Sequence, residues 1–156
     1  MQRLSLTSFV LAVLAGCTTG DMVLEEPPPG YVQDIQSRVT AADWSKTETV
    51  TARLSEFQFE PASLVFQQSV PYRLVLRNVG ERTHTFVSDG FFKAIAAQRL
   101  ASKDDERVSP YLKGIEIAPG AEKDLYFIPV RKGTYPLECS VFLHDTFGME
   151  GQVTIQ

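Results

Sequence analysis

The sequence predicts an all-β domain, a sandwich or a barrel, and two observations favour this class. Apolar and polar residues alternate from residue 49 onward, as in Tyr72-Arg73-Leu74-Val75-Leu76-Arg77, and this is the period of a half-buried strand. Turn signals separate the alternating runs, at Gly80, at Pro119-Gly120 and at Lys132-Gly133. Several short strands with turns at this spacing are typical of an all-β fold.

Five further strands are expected along the chain, together with one short helix. The strands are predicted at 84–88, 112–117, 122–130, 133–139 and 151–155. Between Leu54 and Phe57 the alternation shifts by one residue, which predicts a β-bulge near Ser55-Glu56. Phe91 or Phe92, Ile95 and Leu100 lie near one helical face. This pattern predicts a short helical insertion near 91–102.

Composition excludes several classes of protein. The chain has 156 residues, of which 44% are hydrophobic and 22% charged, as expected for one folded domain rather than a disordered chain. The net charge of −4 argues against nucleic-acid binding, which calls for a basic surface. Only two histidines and two cysteines are present. A catalytic site that needs many imidazoles is therefore excluded.

The first sixteen residues have the pattern of an export signal. Arg3 precedes a mostly apolar stretch at 4–14 that is too short to span a bilayer. The stretch ends in Leu14-Ala15-Gly16-Cys17, which resembles the bacterial lipobox, and this implies lipidation of Cys17 as the first mature residue. An ordinary secretory signal with an incidental cysteine is the alternative. Thr18 replaces the aspartate that favours inner-membrane retention, so we expect periplasmic-side anchoring, at the outer rather than the inner membrane.

Residues 17–48 are predicted to be the lipidated cysteine and an acidic, proline-rich tether, with the domain at 49–156. Pro27-Pro28-Pro29 favours an extended chain, and the segment 18–48 carries six acidic and two basic residues. Trp44 is unusual in such a polar segment. We expect it to dock on the domain.

The chemistry of the chain is concentrated near its end. Cys139, His144 and Met149 follow one another with four residues in each gap. Each alone has an ordinary structural interpretation, but a thiolate, an imidazole and a thioether on one loop form a soft set that prefers copper. A second imidazole is available from His84, which shares a strand face with Phe86 and so points into the core if Phe86 does. Lipidation of Cys17 leaves Cys139 as the odd thiol of an oxidising compartment.

Over residues 50–156 the sequence resembles the cupredoxins, or blue copper proteins. The resemblance is carried by the stretches Phe57-Gln58-Phe59-Glu60-Pro61, Asn78-Val79-Gly80, His84-Thr85-Phe86 and the segment from 133 to 153. It implies a Greek-key β-sandwich with one mononuclear copper. His84, Cys139 and His144 would be the equatorial ligands and Met149 the axial one. The ligand-loop spacing is similar to that of rusticyanin and azurin.

Two hydroxyl residues directly follow proposed ligands. Thr85 follows His84, at a position where many cupredoxins carry asparagine, and Ser140 follows Cys139. The resemblance implies that such a pair ties the two ligand segments together by a hydrogen bond. Two unrelated strand hydroxyls are the alternative interpretation.

These features predict a one-electron transfer protein rather than an enzyme. Copper handling, meaning storage, delivery or sensing, is the alternative, and a metal-free interaction module is a third that the complete ligand set disfavours. Multicopper oxidases and copper nitrite reductases need more histidines than this chain has. Phe142, Leu143 and Phe147 flank His144 and are either core residues or an apolar docking patch for a redox partner. The lipid anchor would place the protein at a membrane.

Overall fold

Two β-sheets packed face to face form the core of the protein. The computed structural model describes residues 27–108, 111–141 and 148–156. The helical elements are α1 (Ile35–Ala41), a 3-10 turn (Trp44–Lys46) and α2 (Asp89–Ala94). The strands are β1 (Glu48–Ser55), β2 (Gln58–Glu60), β3 (Ser63–Phe66), β4 (Tyr72–Asn78), β5 (His84–Val87), β6 (Ile95–Ser102), β7 (Glu106–Arg107), β8 (Gly114–Ile117), β9 (Glu122–Pro129), β10 (Gly133–Glu138) and β11 (Glu150–Ile155). Within these described ranges, no helix is long and apolar enough to cross a bilayer.

The strand order is that of a Greek-key sandwich. One sheet has six strands in the order β2-β1-β4-β9-β6-β7, and the other has five in the order β3-β11-β10-β5-β8. The pairs β1–β4 and β3–β11 are parallel, whereas the other pairs are antiparallel. Most neighbours are not consecutive in the chain, so connections cross between the sheets. The predicted all-β sandwich is confirmed.

Strand β4 shows how the alternating sequence divides its side chains between core and solvent. Leu74 and Leu76 are fully buried between the sheets. The arginines on either side of this stretch point outward and pair with acidic residues of β9, Arg73 with Asp124 and Arg77 with Glu122, each at 2.6 Å. Burial of the leucines provides the stabilisation, while exposed ion pairs of this kind contribute little.

Aromatic rings fill the space between the two sheets. Phe66 from the five-stranded sheet and Phe127 from the six-stranded sheet meet edge to face at 5.1 Å between ring centroids. Phe91 of α2 packs on both, at 5.9 and 5.3 Å. Its neighbour Phe92 reaches Phe86 of β5 at 6.2 Å. The helix α2 therefore inserts two rings that join both sheets, which accounts for the apolar pattern at its centre.

The predicted helix near 91–102 is present only in its first part. The helix α2 ends at Ala94, and the residues from Ile95 onward form β6, which pairs antiparallel with β9. A bulge between Ala97 and Arg99 shifts the register of this pair. The bulge breaks the alternation of period two in the sequence, so the spacing of Ile95 and Leu100 imitates a helical face.

A tight turn occupies the place of the predicted bulge. Ser55 pairs with Gln58 across an antiparallel hairpin of β1 and β2, and Phe57 adopts a positive φ of 63°. The chain therefore reverses direction at Glu56 instead of continuing past a bulge. A β-bulge and a tight turn both shift the alternation of apolar residues by one position, and the sequence alone did not distinguish them.

The segment before β1 packs on the outer face of the six-stranded sheet. Val32 and Ile35 form a small second core with Ala96 of β6 and Ile128 of β9. Trp44 packs against this cluster, and its indole Nε1 donates to the carbonyl oxygen of Val39 at 2.9 Å. The packed body thus extends back to about Tyr31, before the expected domain boundary at residue 49.

Removal of the Ile35 side chain should test the contribution of this docked segment. Ile35 is buried, and truncation of a buried isoleucine costs about 2 kcal/mol or more. Ile35→Ala should therefore lower the midpoint of urea unfolding. Gln36→Ala on the same helix, where the side chain is exposed, is the matched control. Equal midpoints for the two variants would show that the segment adds nothing to the stability of the sandwich.

Candidate metal centre

Three of the four predicted copper ligands meet at one end of the five-stranded sheet. His84 begins β5, Cys139 directly follows β10, and Met149 directly precedes β11. The three strands are neighbours in this sheet, and the backbone N–H of Cys139 donates to the carbonyl oxygen of Met149 at 3.2 Å. All three side chains are fully buried. Their positions follow from strand pairing rather than from local sequence.

The imidazole of His84 turns its Nδ1 toward the sulfur of Cys139. The Nδ1 to Sγ distance is 3.9 Å. Ligand bonds of about 2.0 Å to nitrogen and 2.3 Å to sulfur, at a trigonal angle, separate the two donor atoms by about 3.7 Å. The observed separation therefore fits two ligands of one metal ion.

The remaining predicted residues of this region lie outside the described part of the chain. His144 is in the segment 142–147, and so are Phe142, Leu143 and Phe147, the residues predicted to form a docking patch. Cys17, the predicted lipidation site, is in the segment 1–26. Over the described ranges no group of three or more His, Cys, Asp or Glu side chains could hold a metal.

Thr85 links the strand that begins at His84 to the segment that follows Cys139. Its hydroxyl lies 3.0 Å from the hydroxyl of Ser140 and accepts a hydrogen bond from the backbone N–H of Ser140 at 2.7 Å. The same hydroxyl is 3.6 Å from Sγ of Cys139, and the backbone N–H of Thr85 is 3.4 Å from that sulfur. The hydroxyl has one proton to donate. The Thr85 hydroxyl can therefore donate either to Sγ of Cys139 or to the hydroxyl of Ser140. In both cases the backbone N–H of Thr85 points toward the sulfur.

A buried asparagine shapes the loop that leads into His84. Asn78 is fully buried at the end of β4. Its side-chain amide donates to the carbonyl oxygens of Arg82 at 2.7 Å and Ile117 at 2.8 Å, and its Oδ1 accepts from the N–H of Gly80 at 2.9 Å. These bonds satisfy the buried amide and fix the loop at both ends. The position of Asn78 between an apolar strand and Gly80 is a typical turn signal, but nothing in the sequence indicates its bonds to Arg82 and Ile117.

A carboxylate faces the other nitrogen of the His84 ring. Oε1 of Glu56, in the β1–β2 turn, lies 3.7 Å from Nε2 of His84. The same oxygen accepts from the backbone N–H groups of Glu81 at 2.7 Å and Arg82 at 3.1 Å. The pKa of the Glu56 carboxyl is lowered, first by a hydrogen bond from its own backbone N–H and then by the one from Glu81. No signal in the sequence connected Glu56 with His84, because their proximity depends on the hairpin turn.

Comparison with known proteins identifies the fold. No family model matches the chain, and no curated protein matches it. A multi-copper oxidase from Pseudomonas thermotolerans aligns with a TM-score of 0.56 and 17% identity, over 74% of this chain and 31% of the oxidase. A copper-containing nitrite reductase from Thermus scotoductus aligns at 0.53 and 17%, over 69% of this chain and 30% of the reductase.

A smaller protein aligns over nearly its whole length. Reduced auracyanin from the photosynthetic bacterium Roseiflexus castenholzii matches with a TM-score of 0.50 and 15% identity, over 69% of this chain and 96% of auracyanin. By contrast, this chain spans only about a third of the oxidase and reductase chains. At these identities the similarity shows the fold, the cupredoxin sandwich, and shows nothing of the activity.

Proposed function

We propose that the chain is a one-electron carrier with a single copper bound by His84, Cys139, His144 and Met149. The observation that carries the proposal is the buried pair of His84 Nδ1 and Cys139 Sγ at 3.9 Å. Copper bound by a thiolate, two imidazoles and a weak thioether supplies reversible one-electron chemistry. The role of the protein is to hold these donors in one arrangement.

Burial of the ligands favours electron transfer over copper delivery. His84, Cys139 and Met149 have no exposed surface, and the strands that carry them are hydrogen-bonded to one another or to adjacent strands. A protein that hands copper to a partner must open its site for ligand exchange. A carrier of electrons needs the opposite, a site that excludes water and keeps its geometry. Storage, delivery or sensing of copper is therefore the second candidate function.

The histidine inventory argues for a carrier rather than an enzyme. The whole chain contains two histidines, and the proposed site uses both. An oxidase or reductase would need further copper sites with imidazole ligands. The match to auracyanin over nearly its whole length supports a single sandwich of that size within this chain.

A redox partner is proposed to dock beside His144. Phe142, Leu143 and Phe147 flank this histidine in sequence and would provide an apolar contact surface around a ligand. Such a surface lets two proteins approach closely without desolvating charges. The electron would then leave through the imidazole of His144.

Cys139→Ala should abolish the visible thiolate-to-copper absorption of the Cu(II)-loaded protein. The thiolate is the donor in this transition, and no other side chain of the proposed site replaces it. Glu138→Ala, which alters the exposed neighbour at the end of β10, should keep the band. Absorption spectroscopy with one equivalent of Cu(II) makes the measurement. A band that survives in Cys139→Ala would contradict the proposed ligand set.

Thr85→Val should lower the reduction potential. The substitution keeps the shape of the side chain and removes the hydroxyl next to the sulfur, and a hydrogen bond to a thiolate stabilises the electron-rich reduced state. A bond worth about 1 kcal/mol corresponds to about 40 mV for one electron. Thr134→Val is the control, because Thr134 pairs with Thr154 in the same sheet at an exposed position. Equal potentials, measured by voltammetry, would remove Thr85 from the tuning of the site.

Lipidation of Cys17 is proposed to anchor the protein on the periplasmic side of the envelope, at the outer membrane. Cys17→Ser should release the chain into the soluble periplasmic fraction, because the lipid is attached through the thiol of that cysteine. Cys139→Ala, which removes the other cysteine of the chain, should leave the protein with the membranes. Fractionation and immunoblotting distinguish the two. Membrane retention of Cys17→Ser would exclude the lipobox interpretation.

A further inference from the structure

Glu56 occupies a defined place between two segments of the chain rather than projecting freely into solvent. It lies in the β1–β2 turn, about a third of its side chain is exposed, and its Oε1 receives the backbone N–H groups of Glu81 and Arg82. A carboxylate that accepts two backbone hydrogen bonds is held in one position. The Glu56 carboxylate is thereby held against the loop just before His84.

The backbone at Gly80 makes room for this carboxylate. A Cβ atom at residue 80 would lie 2.7 Å from both carboxylate oxygens of Glu56, closer than van der Waals contact allows. The loop is also fixed from inside by the side chain of Asn78. The Glu56 carboxylate therefore packs against the backbone of a loop that the Asn78 side chain holds in place from the opposite side.

We propose that Glu56 is a positioning residue for the copper ligand His84, an inference that rests on the proposed function. A neutral imidazole has one proton for two nitrogens, and the negative charge 3.7 Å from Nε2 favours the proton on Nε2. Nδ1 is then left with its lone pair, toward Cys139 Sγ. At 3.7 Å the effect is electrostatic rather than a hydrogen bond.

The carboxylate also affects the balance between the two oxidation states of copper. Carboxylates that accept a hydrogen bond from a metal-bound histidine fix its tautomer and raise its basicity, and their loss typically lowers metal affinity 10- to 100-fold. At 3.7 Å the Glu56 carboxylate acts in the same direction through its charge. A nearby negative charge stabilises Cu(II) more than Cu(I). Loss of that charge should therefore weaken Cu(II) binding more than Cu(I) binding and raise the reduction potential.

The test compares Glu56→Gln with Glu60→Gln in the purified full chain. Glutamine at 56 keeps the size and the oxygen that accepts from Glu81 and Arg82, but removes the charge. Glu60, in β2, pairs with Arg53 at 3.5 Å, so its substitution removes an equal charge from the same hairpin. Two quantities are measured: the ¹⁵N shifts of the His84 ring in the metal-free protein at a fixed pH where imidazole is neutral, and the potential of the copper-loaded protein.

Glu56→Gln should lower the ratio of Nε2–H to Nδ1–H tautomers at least threefold and raise the potential by about 59 mV, the value for a tenfold preferential loss of Cu(II) affinity. Glu60→Gln should change neither. Equal effects of the two variants, or no effect of Glu56→Gln on the tautomer ratio, would overturn the inference. Absence of copper binding by the wild-type protein would instead refute the proposed function, while the tautomer ratio of the metal-free protein would still decide the role of Glu56.

Discussion

Pairing of β5 with β10 and of β10 with β11 is the constraint on which the site depends. These two ladders bring His84, Cys139 and Met149 to one end of the five-stranded sheet. The three residues are far apart in sequence, and no local preference of the chain could assemble them. The interior of the sandwich then shields them from water.

The two sheets contribute in different ways to the candidate site. The five-stranded sheet carries the three described ligand candidates, whereas the six-stranded sheet supports it through the aromatic core and binds α1 on its outer face. Phe91 and Phe92 of α2 connect the sheets. Close packing of this kind resists small displacements.

The strand predictions are confirmed where the alternation of period two is regular, and the ligand candidates were proposed from the chemistry of their side chains. Alternation of period two identified β4 and β9, and the soft donors Cys139 and Met149 stood out by their chemistry. The features that the sequence did not predict are those that depend on tertiary pairing of strands and turns. The helix predicted over 91–102 is wrong beyond Ala94, because the bulge of β6 near Gln98 hides the alternation of apolar and polar residues. The link between Glu56 and His84 was not predicted because it joins a hairpin turn to the first residue of a strand, 28 positions later in the chain.

The fold by itself leaves the activity open, because the similar structures include chains named as oxidase and reductase as well as auracyanin. Activity depends on the donors that a particular chain places on that fold. Here both histidines are proposed to bind one copper, so none remains to build a second metal site or to act as a general base. The hydrogen-bond donors of Thr85 face the sulfur of Cys139, and the charge of Glu56 faces His84. Donors near the thiolate favour the reduced metal, whereas a carboxylate near the imidazole favours the oxidised one. In the proposed copper centre, opposing contacts on two different ligands would therefore set the reduction potential, and each could be changed without altering the proposed ligand set.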